Sequence, residues 1–379
     1  EYNEEKPSKN TAVVVADPSN GEILGMASYP TFNLNDPRKL TGMYTDEEIK
    51  DMSDEEYRNN LYSLWTNYCV SESYEPGSTF KPVTVASALE EGVVKDGDTY
   101  VCKGFETVAD YKLKCHVFST IGSHGSLTVE QALMNSCNPY MIHLALEMGN
   151  SRFAYYQSLF GFGKITGIDL PGETTGIVYG DRMTTIDAAC NSFGQTINVN
   201  MMQMMAAYCS IINGGMLYQP HIVKRIESAN GEVVKEYKAN LVRQTITAST
   251  SKLLRRYLKN TVEEGTAKKA GVTGYSVAGK TGTAQKGDRK DNKWIISFIG
   301  HAPAENPKFA IYVVIDEPYG TTGTSGSSAD VLTLTHNILE KLLPYMNVYK
   351  DASDEYEDTS SSPDELTVDG IPAGTASSN

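Results

Sequence analysis

The run Thr11-Ala12-Val13-Val14-Val15-Ala16-Asp17-Pro18-Ser19-Asn20-Gly21-Glu22-Ile23-Leu24-Gly25-Met26-Ala27-Ser28 places alternating residues on either side of a turn. Asp-Pro-Ser-Asn-Gly is turn chemistry, so residues 11–16 and 22–27 are expected to form a β-hairpin. Near the opposite end of the chain come three more strand-like runs, 275–284, 293–301 and 308–315. Turn-rich segments separate them, Gly287-Asp288 first and then Pro303 to Pro307.

Between these ends the pattern is helical. Helices are expected over 78–91, stopped by Gly92, over 128–135, over 139–148, stopped by Gly149, over 196–212 and over 249–262. A last amphipathic helix, 329–343, carries Val331, Leu334, Ile338 and Leu342 on one stripe. Strands at both ends with helices between predict an α/β fold, in which one antiparallel sheet is built from the N- and C-terminal portions. A mostly helical lobe is inserted between them. The sheet lobe is expected at about 11–35 and 266–345, the helical lobe at about 40–265, and the two make one unit over 1–350. The groove between lobes is the natural place for a site.

Composition narrows the function. With 40% hydrophobic residues, 379 residues can bury a sizeable core. The net charge of −14 is uneven, since residues 351–379 hold eight acids and no base. That Ser-, Pro- and Gly-containing tail reads as a disordered, solvating segment. A second acidic stretch holds the pairs Thr45/Glu48 and Ser53/Glu56, which read as capped, exposed short helices. No basic patch interleaved with aromatics occurs, which argues against nucleic acid. Neither a long apolar run nor a signal-type N-terminus is present.

Three short motifs follow one another: Ser78-Thr79-Phe80-Lys81, Ser136-Cys137-Asn138 and Lys280-Thr281-Gly282-Thr283. Each is weak alone. Ser-x-x-Lys recurs at Ser249/Lys252, and Ser-x-Asn at Ser8, Ser228 and Ser377. Order and setting carry the weight, the first opening a helix, the second on a helix–helix turn, the third on a strand. A serine hydroxyl is a poor nucleophile near neutral pH and needs a positioned base. At i and i+3 on a helix, Ser78 and Lys81 share a face, so the amine is expected to reach the hydroxyl. Ser78 sits at the helix N-terminus, where the dipole favours developing negative charge. Pro82 lacks the amide that would bond the carbonyl of residue 78, which loosens that turn. For Lys81 to act as a base, burial and a second cation, Lys280, should lower its pKa. Ser136 offers a hydroxyl for proton relay and Asn138 an amide for the substrate's peptide group. Thr281, Gly282 and Thr283 offer a strand edge for an extended substrate, and the amides of Ser78 and Thr283 an oxyanion hole.

These motifs resemble those of class B, monofunctional penicillin-binding proteins of the elongation or sporulation type. Further matching stretches are Tyr74-Glu75-Pro76-Gly77-Ser78, Phe160-Gly161-Phe162-Gly163, Leu170-Pro171-Gly172-Glu173 and Gly279-Lys280-Thr281-Gly282-Thr283-Ala284-Gln285. The resemblance spans roughly residues 11–345. It implies the penicillin-binding/serine β-lactamase-like transpeptidase fold and a serine-type D-Ala-D-Ala transpeptidase/carboxypeptidase. In that chemistry Ser78 is acylated by a peptidoglycan stem peptide, D-alanine leaves, a neighbouring stem's amine attacks, and β-lactam antibiotics trap the serine. It also implies a place on the extracytoplasmic side of the cell membrane and work alongside a membrane glycan polymerase. Members carry an N-terminal membrane helix and a pedestal domain, so this chain is expected to be a trimmed catalytic domain. A serine β-lactamase and a penicillin-sensing receptor domain share the Ser78/Lys81 pair and remain the alternatives.

Of six cysteines, Cys102, Cys115 and Cys137 fall close to one another in sequence with His124. Three thiols and an imidazole suit a closed, structural tetrahedral Zn2+ site, with Asp110 and His116 as substitute ligands. Cys137 is the middle residue of the second motif, so metal there would brace it. Some members of the resembled group have ligands at comparable places, often with Asp for Cys. The spacings of 13, 9 and 13 are no zinc-finger signature, and a Cys102–Cys115 disulfide or unrelated buried thiols are the other readings. Met201, Met202, Met204 and Met205 read as core filler, and Cys190 and Cys209 as buried thiols. Glu173, at a spacing from Ser136 like that of a β-lactamase's deacylating glutamate, reads as a turn residue.

Overall fold

The computed structural model describes residues 8–40, 44–287, 291–318 and 327–352. The hairpin forms as the alternation dictates. Strand β1 (Ser8–Ala16) pairs antiparallel with β2 (Ile23–Tyr29), Val13 standing opposite Ala27. Asp17 closes the turn by accepting the Ser19 N–H at 2.8 Å, a side-chain mimic of a backbone turn.

Two short acidic helices follow, α1 (Asp46–Asp51) and α2 (Asp54–Trp65), capped by Thr45 and Ser53 as their sequences require. After α3 (Tyr68–Ser71), a 3-10 turn (Gly77–Phe80) runs straight into α4 (Lys81–Glu91). Four short strands come next: β3 (Thr99–Cys102), β4 (Phe105–Val108), β5 (Tyr111–Lys114) and β6 (Gly125–Thr128). Then come α5 (Val129–Met134), α6 (Asn138–Met148), α7 (Asn150–Leu159), α8 (Thr185–Asn191) and α9 (Met201–Ile212). Strands β7 (Met216–Tyr218), β8 (Arg225–Glu227), β9 (Val233–Glu236) and β10 (Leu241–Gln244) precede α10 (Ala248–Glu263). The chain closes with β11 (Ala278–Lys286), β12 (Lys293–Ala302), β13 (Phe309–Pro318) and α11 (Ala329–Tyr345).

The main sheet is antiparallel, in the order β11-β12-β13-β1-β2, so β1 from the N-terminus docks on β13 with Val13 opposite Val313. This is the sheet expected from the two chain ends. Its two-residue period sorts the core into layers. Ala12, Val14, Ala16, Ile299 and Tyr312 face the helical lobe and pack with α4 and α9. Val15, Ile296, Phe298, Ile311 and Val313 face the other way, against Val331, Leu339 and Leu343 of α11. The methionines of α9 are buried in the first layer.

Two local expectations differ. The helix expected from residue 196 begins only at Met201, because Asn200 caps it through the Gln203 N–H at 2.8 Å. Residues before that cap are extended, with Val199 bridging Tyr74 and Asn198 bridging Ile177. The region read as mostly helical also contains β3–β10, whose runs of three or four residues are too short to show a period. The acidic tail, from residue 353 on, lies outside the described residues. Among the described residues no helix is long and apolar enough to cross a membrane.

Candidate active site

The three motifs meet where the start of α4, the α5–α6 turn and the edge strand β11 come together. Pro82, with no N–H to give, lets the Lys81 amide close a tighter turn onto the Ser78 carbonyl. Ser78 is left half-buried and open to the groove, while the Lys81 side chain points inward and is fully buried. Gly77 has φ +56°, and a Cβ there would lie 2.5 Å from the Thr283 carbonyl oxygen and 3.3 Å from its nitrogen. Only glycine permits both that backbone and that approach. The contact brings the backbone just before Ser78 up against that of Thr283.

Lys81 Nζ donates to the Ser136 carbonyl at 2.5 Å, the Ser136 Oγ at 3.0 Å and Asn138 Oδ1 at 2.6 Å. The Ser136 hydroxyl in turn donates to Ser78 Oγ at 3.0 Å. No direct hydrogen bond joins Ser78 to Lys81, contrary to the contact expected from their spacing; the Ser136 hydroxyl stands between them. Ser136 takes φ +54°, a left-handed conformation that costs a non-glycine residue energy and is over-represented at functional sites. The amide of Asn138 donates to the Lys114 carbonyl at 3.3 Å, tying the β4–β5 hairpin to the second motif.

On β11, Lys280 is fully buried and donates to the Thr281 carbonyl at 3.2 Å. The Thr281 hydroxyl reaches Thr266 Oγ1 at 3.5 Å. Gly282 packs on the 3-10 turn, where a Cβ would meet Pro76 O at 2.9 Å and Thr79 Cγ2 at 2.8 Å. As β11 is the sheet's outer strand, one of its edges is unpaired by the sheet.

Burial pulls Lys81 down to about 8, partly countered by negative charge from Cys115 and Cys137. Lys280 is held well below the ordinary lysine range, first by burial and then by the charge on Lys81. The pair thus repel, but the effect falls on Lys280 rather than, as expected, on Lys81. With three acceptors around it, charged Lys81 uses all three N–H groups. Once neutral, its lone pair can accept from Ser136, and the chain Ser78–Ser136–Lys81 can reverse direction.

Cys102, Cys115, His124 and Cys137 also converge, their four ligand atoms within 4.8 Å of one another. Both Cys102 Sγ, at 3.8 Å, and Cys115 Sγ, at 3.6 Å, contact His124 Nδ1. All the cysteines are free, so there is no Cys102–Cys115 disulfide. A bond from Cys137 pulls the Cys115 thiol well down, and the same contact with burial holds Cys137 up. The Gly104 N–H donates to Cys102 Sγ at 3.4 Å. A tetrahedral site with Zn–S near 2.3 Å has edges of about 3.8 Å, so these residues fit zinc with a small contraction. Of the substitutes, His116 bonds the Asn135 carbonyl at 2.9 Å, and Asp110 is exposed near the β4–β5 turn.

The support beneath Ser78 is not foreseen from the sequence. Tyr74 donates to Tyr312 of β13 at 3.0 Å, with Thr79 and Ser297 bonded to the same buried phenol. Gly77 donates to the Gly194 carbonyl at 3.0 Å, and Thr196, at φ +59°, donates to Glu75. These partners are far apart in sequence and carry no spacing signal. Glu173 is the turn residue expected, its carboxylate taken by the Thr166 and Gly167 amides at 2.7 and 3.0 Å.

Sheet, inserted helical lobe and convergent motifs together define the penicillin-binding fold. Residues 11–340 match the family described as the penicillin binding protein transpeptidase domain, and the chain belongs to that family, in its class B branch. It is 39% identical over 341 residues to stage V sporulation protein D of Bacillus subtilis, covering 88% of this chain and 49% of the relative. To the peptidoglycan D,D-transpeptidase FtsI of Escherichia coli it is 30% identical over 351 residues, covering 91% and 53%. The chain therefore spans about half the length of the curated relatives it matches. Among solved structures, penicillin binding protein 3 of Mycobacterium tuberculosis complexed with ampicillin superposes with a TM-score of 0.78. Sequence identity there is 27%, and the match covers 93% of this chain and 76% of that one.

Proposed function

We propose that this domain is a peptidoglycan D,D-transpeptidase that works through a Ser78 acyl-enzyme and is inhibited covalently by β-lactams. The observation that carries the reading is the chain from Ser78 Oγ through Ser136 Oγ to buried Lys81 Nζ, with 3.0 Å at each step. When Lys81 is neutral, the Ser78 proton passes by way of Ser136 to Nζ as Oγ attacks the carbonyl between the two D-alanines. Charge developing on that oxygen falls on the amides of Ser78 and Thr283. The proton then goes to the departing D-alanine nitrogen, leaving an ester on Ser78. An amine from a second stem peptide attacks the ester, forms the cross-link amide and restores the serine.

In this reading Asn138 and Lys280 hold the lysine and serine in register, while Thr281, Gly282 and Thr283 pair with the donor backbone. Cys102, Cys115, His124 and Cys137 would hold a structural zinc ion, which when bound fixes the second motif and takes no part in the reaction. In the same reading the domain acts on the outer side of the cell membrane, beside a glycan polymerase, and the similarity to stage V sporulation protein D favours a sporulation role.

The test is a labelled penicillin. It should add one drug mass to Ser78 and none to S78A, and the adduct should persist for many minutes. Rapid loss of the adduct would instead favour a β-lactamase, and a stable adduct with no peptide turnover a receptor domain. Glu173, spent on its own loop, is not placed to activate a deacylating water.

A further inference from the structure

The β4–β5 hairpin borders the site and carries charge that the chemistry above does not use. Lys112 and Lys114, two apart on β5, project from one face of the strand. Lys112 Nζ lies 3.7 Å from the centre of the Phe105 ring and 5.2 Å from that of Phe118. Lys114 Nζ lies 5.0 Å from the same Phe118 ring. Ring faces attract ammonium groups and fix where these two stand. Both lysines are exposed, and among the described residues neither forms a salt bridge. Of the hairpin's two acids, Glu106 points to the other face and accepts from Tyr100, and Asp110 is exposed at the turn, beyond the end of β4. Two cations gathered around one ring repel each other and leave a place for an anion.

The hairpin is fastened to the catalytic motif at two points. Asn138 bonds the Lys114 carbonyl at 3.3 Å, and Cys115, the next residue, belongs to the cluster with Cys137. Three hydrogen bonds, Ser78–Ser136, Ser136–Lys81 and Lys81–Asn138, lead from the nucleophile to that anchor. Two peptides must enter this groove in turn. The donor is assigned to the β11 edge, so the wall beyond Asn138 is left for the second.

We propose that Lys112 and Lys114 bind carboxylates of the acceptor stem peptide and so favour an acidic acceptor over a neutral one. This rests on the transpeptidase reading of Ser78. Exposed charge pairs contribute modestly, so the two together should give about a five- to ten-fold preference, weakened by salt.

The experiment uses an N-benzoyl-D-alanyl thioester as donor. The acceptor is a short peptide with a diamino-acid amine and two free carboxylates, compared with the same peptide carrying both carboxylates as carboxamides. Aminolysis is followed against acceptor concentration. The wild-type domain should half-saturate with the acidic acceptor at the lower concentration, K112A/K114A should bring the two acceptors together, and K112E/K114E should invert the order. A preference that survives in K112A/K114A, or that is absent from the wild type, overturns the proposal. So does a fall in penicillin acylation as large as the fall in acceptor use, which would place the lysines in the first step or in the fold. Absence of a penicillin adduct on wild-type Ser78 would bring down the underlying reading and this proposal with it.

Discussion

Ser136 holds its hydroxyl 3.0 Å from Ser78 Oγ, and it does so from a backbone at φ +54° that few serines adopt. A residue in that conformation is held there by its surroundings. Here those are the Lys81 bonds to its carbonyl and hydroxyl.

Removing the relay hydroxyl should therefore cost the first chemical step. S136A is expected to slow acylation by penicillin by about 10²- to 10³-fold, within the range for a lost proton-transfer group. Because Ser136 and Lys81 act as one unit, S136A/K81A should be scarcely slower than K81A alone. Stopped-flow acylation rates check both. Multiplying losses in the double variant would mean that the two residues act separately.

Acylation should depend on pH through Lys81. With neutral Lys81 as the proposed base and burial drawing its pKa down to about 8, the rate should rise tenfold per pH unit below that value and level off above it. K81R should remain nearly inactive throughout. The stability sign follows from the same shift. The folded-state pKa lies below the ordinary lysine value of 10.5, so the charged form is disfavoured on folding. That cost is fully present below about pH 8 and disappears as pH rises toward 10.5. The stability of wild type relative to K81M should accordingly improve by up to about 3 kcal/mol across that window. A flat difference in denaturant titrations would contradict it.

Purified domain should contain about one equivalent of zinc by elemental analysis. C115S should lose the metal, melt lower by roughly 5 °C or more, and acylate more slowly, because Cys137 lies between Ser136 and Asn138. A metal-free preparation that is fully folded and active would remove the zinc reading.

Gly77 tests the packing beneath the oxyanion hole. In G77A the new Cβ would sit 2.5 Å from the Thr283 carbonyl, on a backbone at φ +56°. Acylation should be lost almost completely even where circular dichroism shows the domain folded. Unchanged acylation would place the Ser78 and Thr283 amides somewhere else.

Much of this was legible in the sequence because the signals were local. The Asp17–Gly21 turn, the strand around Val13, Val14 and Val15, and the caps at Thr45 and Ser53 each follow from a few adjacent residues. The three motifs were readable as a candidate site for the same reason, and the fold brings the first two into hydrogen-bond contact. What was not readable was distance. A spacing of three placed Ser78 and Lys81 on one face, but it could not reveal that Lys81 turns inward and that Ser136 bridges them. Tyr74 and Tyr312 lie 238 positions apart, and only the packing of the segment before the 3-10 turn against β13 brings them together. Residues 196–200 misled because Ile197 and Val199 carry the apolar character of the helix backwards past Asn200, the residue that caps it.

The account stands most directly on covalent labelling of Ser78. Intact-mass and peptide mass spectrometry after incubation with penicillin should find a single adduct, on the peptide containing Ser78, that is absent from S78A. An unlabelled wild-type domain, or an S78A domain labelled as well as the wild type, would contradict it.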